Sequence, residues 1–176
     1  MKLEEAIQAA IEYEAGVHRT YQEAMERAGD ETGRRIFRVL RDEEMGHLRY
    51  LRERLSEWRQ DGKIEVKKLE TTVPTRAVID EGLQQLRQRL SPGAAGKGQH
   101  LAELQMLQKA LDVETRTSAF YKEMVATLDG DGRRLFERFV EVEEGHQAVV
   151  QAEIDALSGT GVWFDTKEWD ASGPTT

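Results

Sequence analysis

The chain contains no cysteine. That excludes disulfides, thiolate metal ligation and cysteine-held iron–sulfur centres. Proline is also scarce, with three among 176 residues, so little interrupts a long helix. No apolar run approaches the roughly 18–20 residues of a membrane span, and mean hydropathy is −0.64. A concentrated basic stripe is missing as well, and the net charge of −8 argues against a nucleic-acid phosphate backbone as partner. The opening residues Met1-Lys2-Leu3-Glu4-Glu5 lack the apolar stretch of a signal peptide and already read as helix. A soluble cytoplasmic protein is the expectation, without nucleic acid or membrane as partner.

What is present favours helix. Charged residues make up 33% of the chain, and Ala, Glu, Leu, Arg and Gln dominate, a mix that predicts an all-α protein with one core. Four amphipathic stripes are legible. The first carries Leu3, Ile7, Ala10, Glu14, Val17, Tyr21 and Met25 and breaks at Gly29-Asp30. The second opens near Thr32 and carries Ile36, Leu40, Glu44, His47, Leu51 and Leu55. The third carries Leu104, Leu107, Leu111, Glu114, Ser118, Tyr121, Val125 and Leu128, breaking at Asp129-Gly130-Asp131-Gly132. The fourth carries Leu135, Phe139, Glu143, His146, Val150, Ile154 and Leu157 and stops at Ser158-Gly159.

Short Gly/Asp turns make each successive pair an antiparallel hairpin. Between the hairpins, about residues 58–98, lies a connection with a short helix after Pro74 that Ser91-Pro92-Gly93 ends. It is long enough to return along the bundle. Residues 1–157 therefore read as a four-helix bundle of two hairpins joined by a long crossover, the connectivity of ferritin-like folds. Residues 158–176 read as a tail that folds back through Trp163, Phe164 and Trp169.

The two halves repeat the same chemistry. Glu14 with Tyr21 returns as Glu114 with Tyr121, and Glu44-x-x-His47 returns as Glu143-x-x-His146. Each of these acids and imidazoles interrupts an apolar stripe, and residues three apart share a helix face. A carboxylate buried alone costs several kcal/mol, and four facing one another cost more. Cations supply the compensating charge. The donors Glu14, Glu44, His47, Glu114, Glu143 and His146 are therefore the candidate ligands of two metal ions, as in di-iron and di-manganese bundles. Such oxygen- and imidazole-rich sites suit iron, manganese or zinc.

Neighbouring groups admit plainer readings. Glu43 and Glu144 adjoin the ligands, but only Glu44 and Glu143 stand three before a histidine in both copies. Glu12, Asp112 and Glu141 read as solvent-facing. His18 reads as partly exposed or as an accessory group, and His100 as an ordinary residue at a helix start. Tyr21 and Tyr121 fit core packing and, equally, a phenol that hydrogen-bonds a ligand carboxylate.

On the Glu14…Tyr21, Glu44-Met45-Gly46-His47, Glu114…Tyr121 and Glu143-Glu144-Gly145-His146 elements, residues 1–157 resemble the rubrerythrin branch of the ferritin-like superfamily. The resemblance implies a non-haem site of two iron ions on the six donors. It also implies an oxidoreductase acting on hydrogen peroxide or dioxygen, as peroxidase or ferroxidase, with Tyr21 and Tyr121 beside the site. Two departures stand out. The cysteine-bearing rubredoxin domain of that family has no counterpart here, so a peroxidase would need an external electron donor. Thr117 occupies the place of a further family glutamate. A homo-oligomer, a dimer foremost, is the expected assembly. A non-catalytic metal-binding or iron-storage-linked bundle is the alternative, and a metal-free helical interaction module a third reading.

Overall fold

A computed structural model describes residues 1–90 and 100–169. The described residues form five α-helices and one 3-10 turn: α1 (Leu3–Arg27), α2 (Glu31–Asp61), α3 (Arg76–Arg89), α4 (Leu101–Thr127), α5 (Gly130–Thr160) and the turn Thr166–Glu168. No described helix is long and apolar enough to cross a membrane. At 1.5 Å per residue the four long helices span about 38 to 46 Å.

Their ends follow local chemistry. Asp30 caps α2 by accepting the Gly33 N–H at 2.6 Å, and Gly62 and Gly161 close α2 and α5 in the left-handed region at φ 65° and 70°. Three boundaries differ from the sequence reading. Trp58 still lies inside α2, whose buried stripe continues the periodicity to Arg54. Asp131 and Gly132 lie inside the first turn of α5, where an acidic residue faces the positive helix end. Gly159 is also helical, and α5 stops only at the left-handed Gly161. The expected stop at Ser91-Pro92-Gly93 lies outside the described residues.

The helices pair antiparallel. Arg59 reaches back from the end of α2 to Glu4 at the start of α1. Tyr121 on α4 packs against Phe136 and Phe139 on α5. Between the hairpins, α1 also lies antiparallel to α4: Gly29 donates to Glu103, Tyr21 to Glu114 and Tyr121 to Glu14. The interior splits into two apolar clusters. One holds Val17, Tyr21, Phe37, Leu40, Leu107, Val149 and Val150, the other Ile7, Ala10, Leu51, Tyr121, Phe136 and Phe139. In every long helix the six candidate ligands fall between the residues given to one cluster and those given to the other.

Residues 63–75 lie against the bundle. Ile64 and Leu69 enter the second cluster and Val73 the first, and Tyr50 donates to the Lys67 carbonyl at 2.6 Å. Helix α3 then packs on α5 through Ile79, Leu83 and Leu86. Trp163, Phe164 and Trp169 are buried in the first cluster, and Gly33 permits this, since a Cβ there would lie 2.5 Å from the Trp163 ring.

Glu153, fully buried on α5, accepts the Phe164 N–H at 2.7 Å while its Oε2 has no partner. Burial, with Asp165 and Glu168 nearby, pushes this carboxyl well above the ordinary range. The folded chain therefore retains a proton that the unfolded chain loses, and stability falls as pH rises above the unfolded value. The slope is about 1.4 kcal/mol per pH unit until the folded value is reached. In Glu153→Gln the amide oxygen still accepts from Phe164. Urea unfolding of the metal-free protein should find this variant more stable than wild type at pH 7, with the gap closing toward pH 4.

Candidate metal centre

The six donors converge from four helices. Spacing of three or four along each buried stripe aims them inward, and each is 0% exposed. On one side Glu14, Glu44, His47 and Glu143 bring one donor atom each within 4.8 Å of one another; on the other, Glu44, Glu114, Glu143 and His146 do the same. The two sets share Glu44 and Glu143. Glu44 lies between the rings, Oε1 at 2.9 Å from His146 Nδ1 and Oε2 at 3.2 Å from His47 Nδ1. His47 Nδ1 also faces Glu143 Oε1 and Glu14 Oε2, each at 3.4 Å. Glu114 Oε1 stands 3.7 Å from His146 Nδ1. The rings stack with centroids 5.1 Å apart.

The repeat is realised as an approximate two-fold exchange of α1 with α4 and α2 with α5. Tyr21 donates to Glu114 Oε1 at 2.6 Å, and Tyr121 donates to Glu14 Oε1. Each phenol therefore serves the carboxylate of the other half. Seven residues carry a side chain about 10 Å along its own helix, too far to reach its own glutamate, whereas the antiparallel neighbour brings the other one level. Burial, and then the facing carboxylates, raises both phenols well above their ordinary range, so they remain protonated donors.

Burial pushes all four carboxyls up, and their surroundings then separate them. For Glu14 the facing His47, with hydrogen bonds, outweighs burial and holds it well below the usual range; for Glu114 the neighbouring His146 and Glu143 and the Tyr21 hydrogen bond outweigh burial and lower it. Glu44 and Glu143 face other carboxylates as well as burial, and both are raised, Glu44 to about 8. Burial pushes the imidazoles down, but the surrounding carboxylates prevail and raise both. Burial and the facing charges thus favour the charged form of Glu14 and Glu114 and of both imidazoles, and the protonated form of Glu44 and Glu143.

The donor set fits divalent cations. Glu44 Oε2, Glu114 Oε2 and both Glu143 oxygens are buried without a hydrogen-bond partner. Orphaned buried carboxylate oxygens are costly, and coordination would satisfy them. Oxygen with imidazole nitrogen suits iron, manganese or zinc.

The other sequence candidates lie elsewhere. Glu12, Asp112, Glu141 and Glu144 are exposed. His18 joins neither ligand set; burial, then the Arg41 charge, lowers its pKa. Thr117 is buried and donates back to the Val113 carbonyl at 2.8 Å. His100 caps α4 beside Asp30, and with Glu103 these form a clasp whose acids accept Gly33 N–H, Trp163 Nε1–H and Gly29 N–H.

One group exceeds the sequence reading. Glu43 Oε2 lies 3.1 Å from His146 Nε2, and burial, overcome by its hydrogen bonds to His146 and to the threonines at 71 and 72, leaves it at about 2. The signal available in the sequence was a mismatch in the repeat, glutamate at 43 against valine at 142. Beside it, between residues 68–75 and α5, lies a cleft of about 220 Å³ whose walls include Thr71, Val142 and Gly145.

Comparison with family models, with curated proteins and with solved structures finds no match to this chain.

Divalent ions on these donors would compete with protons at Glu44, Glu143, His47 and His146, all of which are shifted upward. Affinity should therefore rise with pH between 6 and 8. Calorimetry of Zn(II) binding in buffers of different ionisation enthalpy should read a net release of protons on binding. Binding without proton release would mean the ions sit elsewhere.

Proposed function

We propose that the chain belongs to the rubrerythrin branch of the ferritin-like di-iron carboxylate proteins and acts as an oxidoreductase on hydrogen peroxide or dioxygen. The observation that carries this reading is the pair of buried donor sets, each with its own glutamate and histidine, sharing Glu44 and Glu143. The ferritin-like topology is part of the proposal. Helix α1 is antiparallel to both α2 and α4, so α2 and α4 run the same way. A connection between them has to travel the length of the bundle.

Glu14 and His47 would hold one iron and Glu114 and His146 the other, with Glu44 and Glu143 available to both. The pair of ions would supply two electrons for reduction of a small oxidant. The remaining work belongs to the chain. The two apolar clusters keep bulk water from the polar layer. Tyr121 and Tyr21 orient Glu14 and Glu114, and their protonated phenols are proton donors beside the donor atoms. The cleft against Val142 and Gly145, neighbours of Glu143 and His146, is of a size to admit peroxide or dioxygen. Electrons for repeated turnover would come from a separate reductant, since these 176 residues offer no cysteine for a thiolate-held iron centre.

A second reading gains from one residue. Thr117 uses its hydroxyl on its own helix, so no seventh ligand arises there. This favours a ferroxidase, or a metal-binding protein without peroxidase turnover, over a peroxidase of the family type.

Anaerobic Fe(II) titration, followed by mixing with peroxide or air under near-ultraviolet detection, tests the proposal. Two irons per chain should bind and oxidise together. A faster response to peroxide than to air selects peroxidase over ferroxidase. Glu14→Ala should weaken one ion, whereas Glu44→Ala should weaken both by at least tenfold. Two irons retained with unchanged affinity in Glu44→Ala would remove the assignment.

A further inference from the structure

The repeat makes the two halves of the centre nearly equivalent, and one position breaks the equivalence. Residues 44 and 47 correspond to 143 and 146, so residue 43 corresponds to 142. Glu43 projects from α2 to the outer nitrogen of His146, 3.1 Å away, while Nδ1 of the same ring faces the ligand carboxylates. The repeat counterpart of Glu43 is Val142, which has no acceptor, and His47 Nε2 is buried without a partner.

Glu43 is itself held fast. Thr71 Oγ1 donates to its Oε2 at 2.6 Å, and the Thr72 N–H and Oγ1–H both donate to its Oε1 at 2.8 Å. These threonines lie on the connection between α2 and α3. Its close approach depends on Gly145, where a Cβ would stand 2.8 Å from the Pro74 carbonyl oxygen. The outer nitrogen of one imidazole therefore meets a fixed carboxylate, whereas that of the other has no hydrogen-bond partner and its ring packs against Phe139 and His146.

We infer that the two metal positions are unequal, with the one served by His146 filled first and held more tightly because Glu43, pinned by Thr71 and Thr72, fixes and polarises that ring. The inference rests on the two-metal reading above. Glu43 is a positioning residue that acts through His146. A carboxylate on the outer nitrogen locks the tautomer that presents Nδ1 as a lone-pair donor and raises its basicity. Loss of such a partner typically lowers metal affinity by about 10–100-fold. His47 lacks this help, so the ion it serves would be the exchangeable one, the property required of the position that accepts or releases iron.

Titration of the full-length metal-free protein with Co(II), read by visible absorption and by calorimetry, tests this. Wild type should show two classes of sites at least tenfold apart. His47→Ala should keep the tight class and His146→Ala should lose it. Glu43→Ala should weaken the tight class by about 10–100-fold, with Glu43→Gln, whose amide oxygen still accepts a hydrogen bond, falling between. Val142→Glu, which leaves the threonine contacts untouched, should tighten the weak class. Two equal classes in wild type, or an unchanged tight class in Glu43→Ala, would overturn the inequality while leaving the two-metal reading intact. Outright loss of one ion in Glu43→Ala, with Glu43→Gln no better, would instead make Glu43 a ligand and overturn its positioning role. Failure of wild type to bind any Co(II) would remove both.

Discussion

The burial of four carboxyls and two imidazoles at the middle of an apolar bundle is the constraint on which this structure turns. None of the six is exposed, and in water-free surroundings such groups persist only when charge is balanced and lone pairs are used. The chain meets part of that requirement by itself. Imidazoles shifted toward their charged form face Glu14 and Glu114, phenols donate to the same two acids, and Glu44 and Glu143 are shifted toward the protonated form. Several carboxylate oxygens are still orphaned, a deficit a divalent cation is suited to fill.

The surrounding fold holds that layer in place. Two separate apolar clusters flank it, and each contributes one of the paired tyrosines. Antiparallel packing of α1 on α4 carries each tyrosine to the opposite half's glutamate. The polar layer is thus cross-linked between the hairpins as well as within them. The approximate two-fold exchange is broken where the connection after α2 lies over one side only. Thr71 and Thr72 reach Glu43 there, and the same side carries the cleft against Val142 and Gly145.

Much of this was legible one residue at a time. Periodicity located the four long helices and the helix after Pro74, because a buried stripe needs an apolar residue every three or four positions. The six polar interruptions were conspicuous because a charged residue in such a stripe conflicts with burial. Helix ends were read less well. Asp131-Gly132 and Ser158-Gly159 carry turn composition, yet they lie inside α5, with Gly132 packed against Leu3 at one end and the left-handed cap at Gly161 closing the other. Glu43 was read only as a neighbour of the ligands, because its partner is 103 residues away in sequence and on another helix.

The sequence alone determined helicity, the inward-facing polar set and its duplication, since these follow from composition and from spacing along single helices. Only the tertiary structure decided which tyrosine serves which glutamate, that Glu44 and Glu143 belong to both donor sets, and that His146 but not His47 has an outer carboxylate. The physical reason is the same in each case. Hydrogen bonds and shared donors form between side chains on different helices, and their pairing depends on helix direction, register and the path of the connecting segment. None of these is encoded in the spacing along one helix.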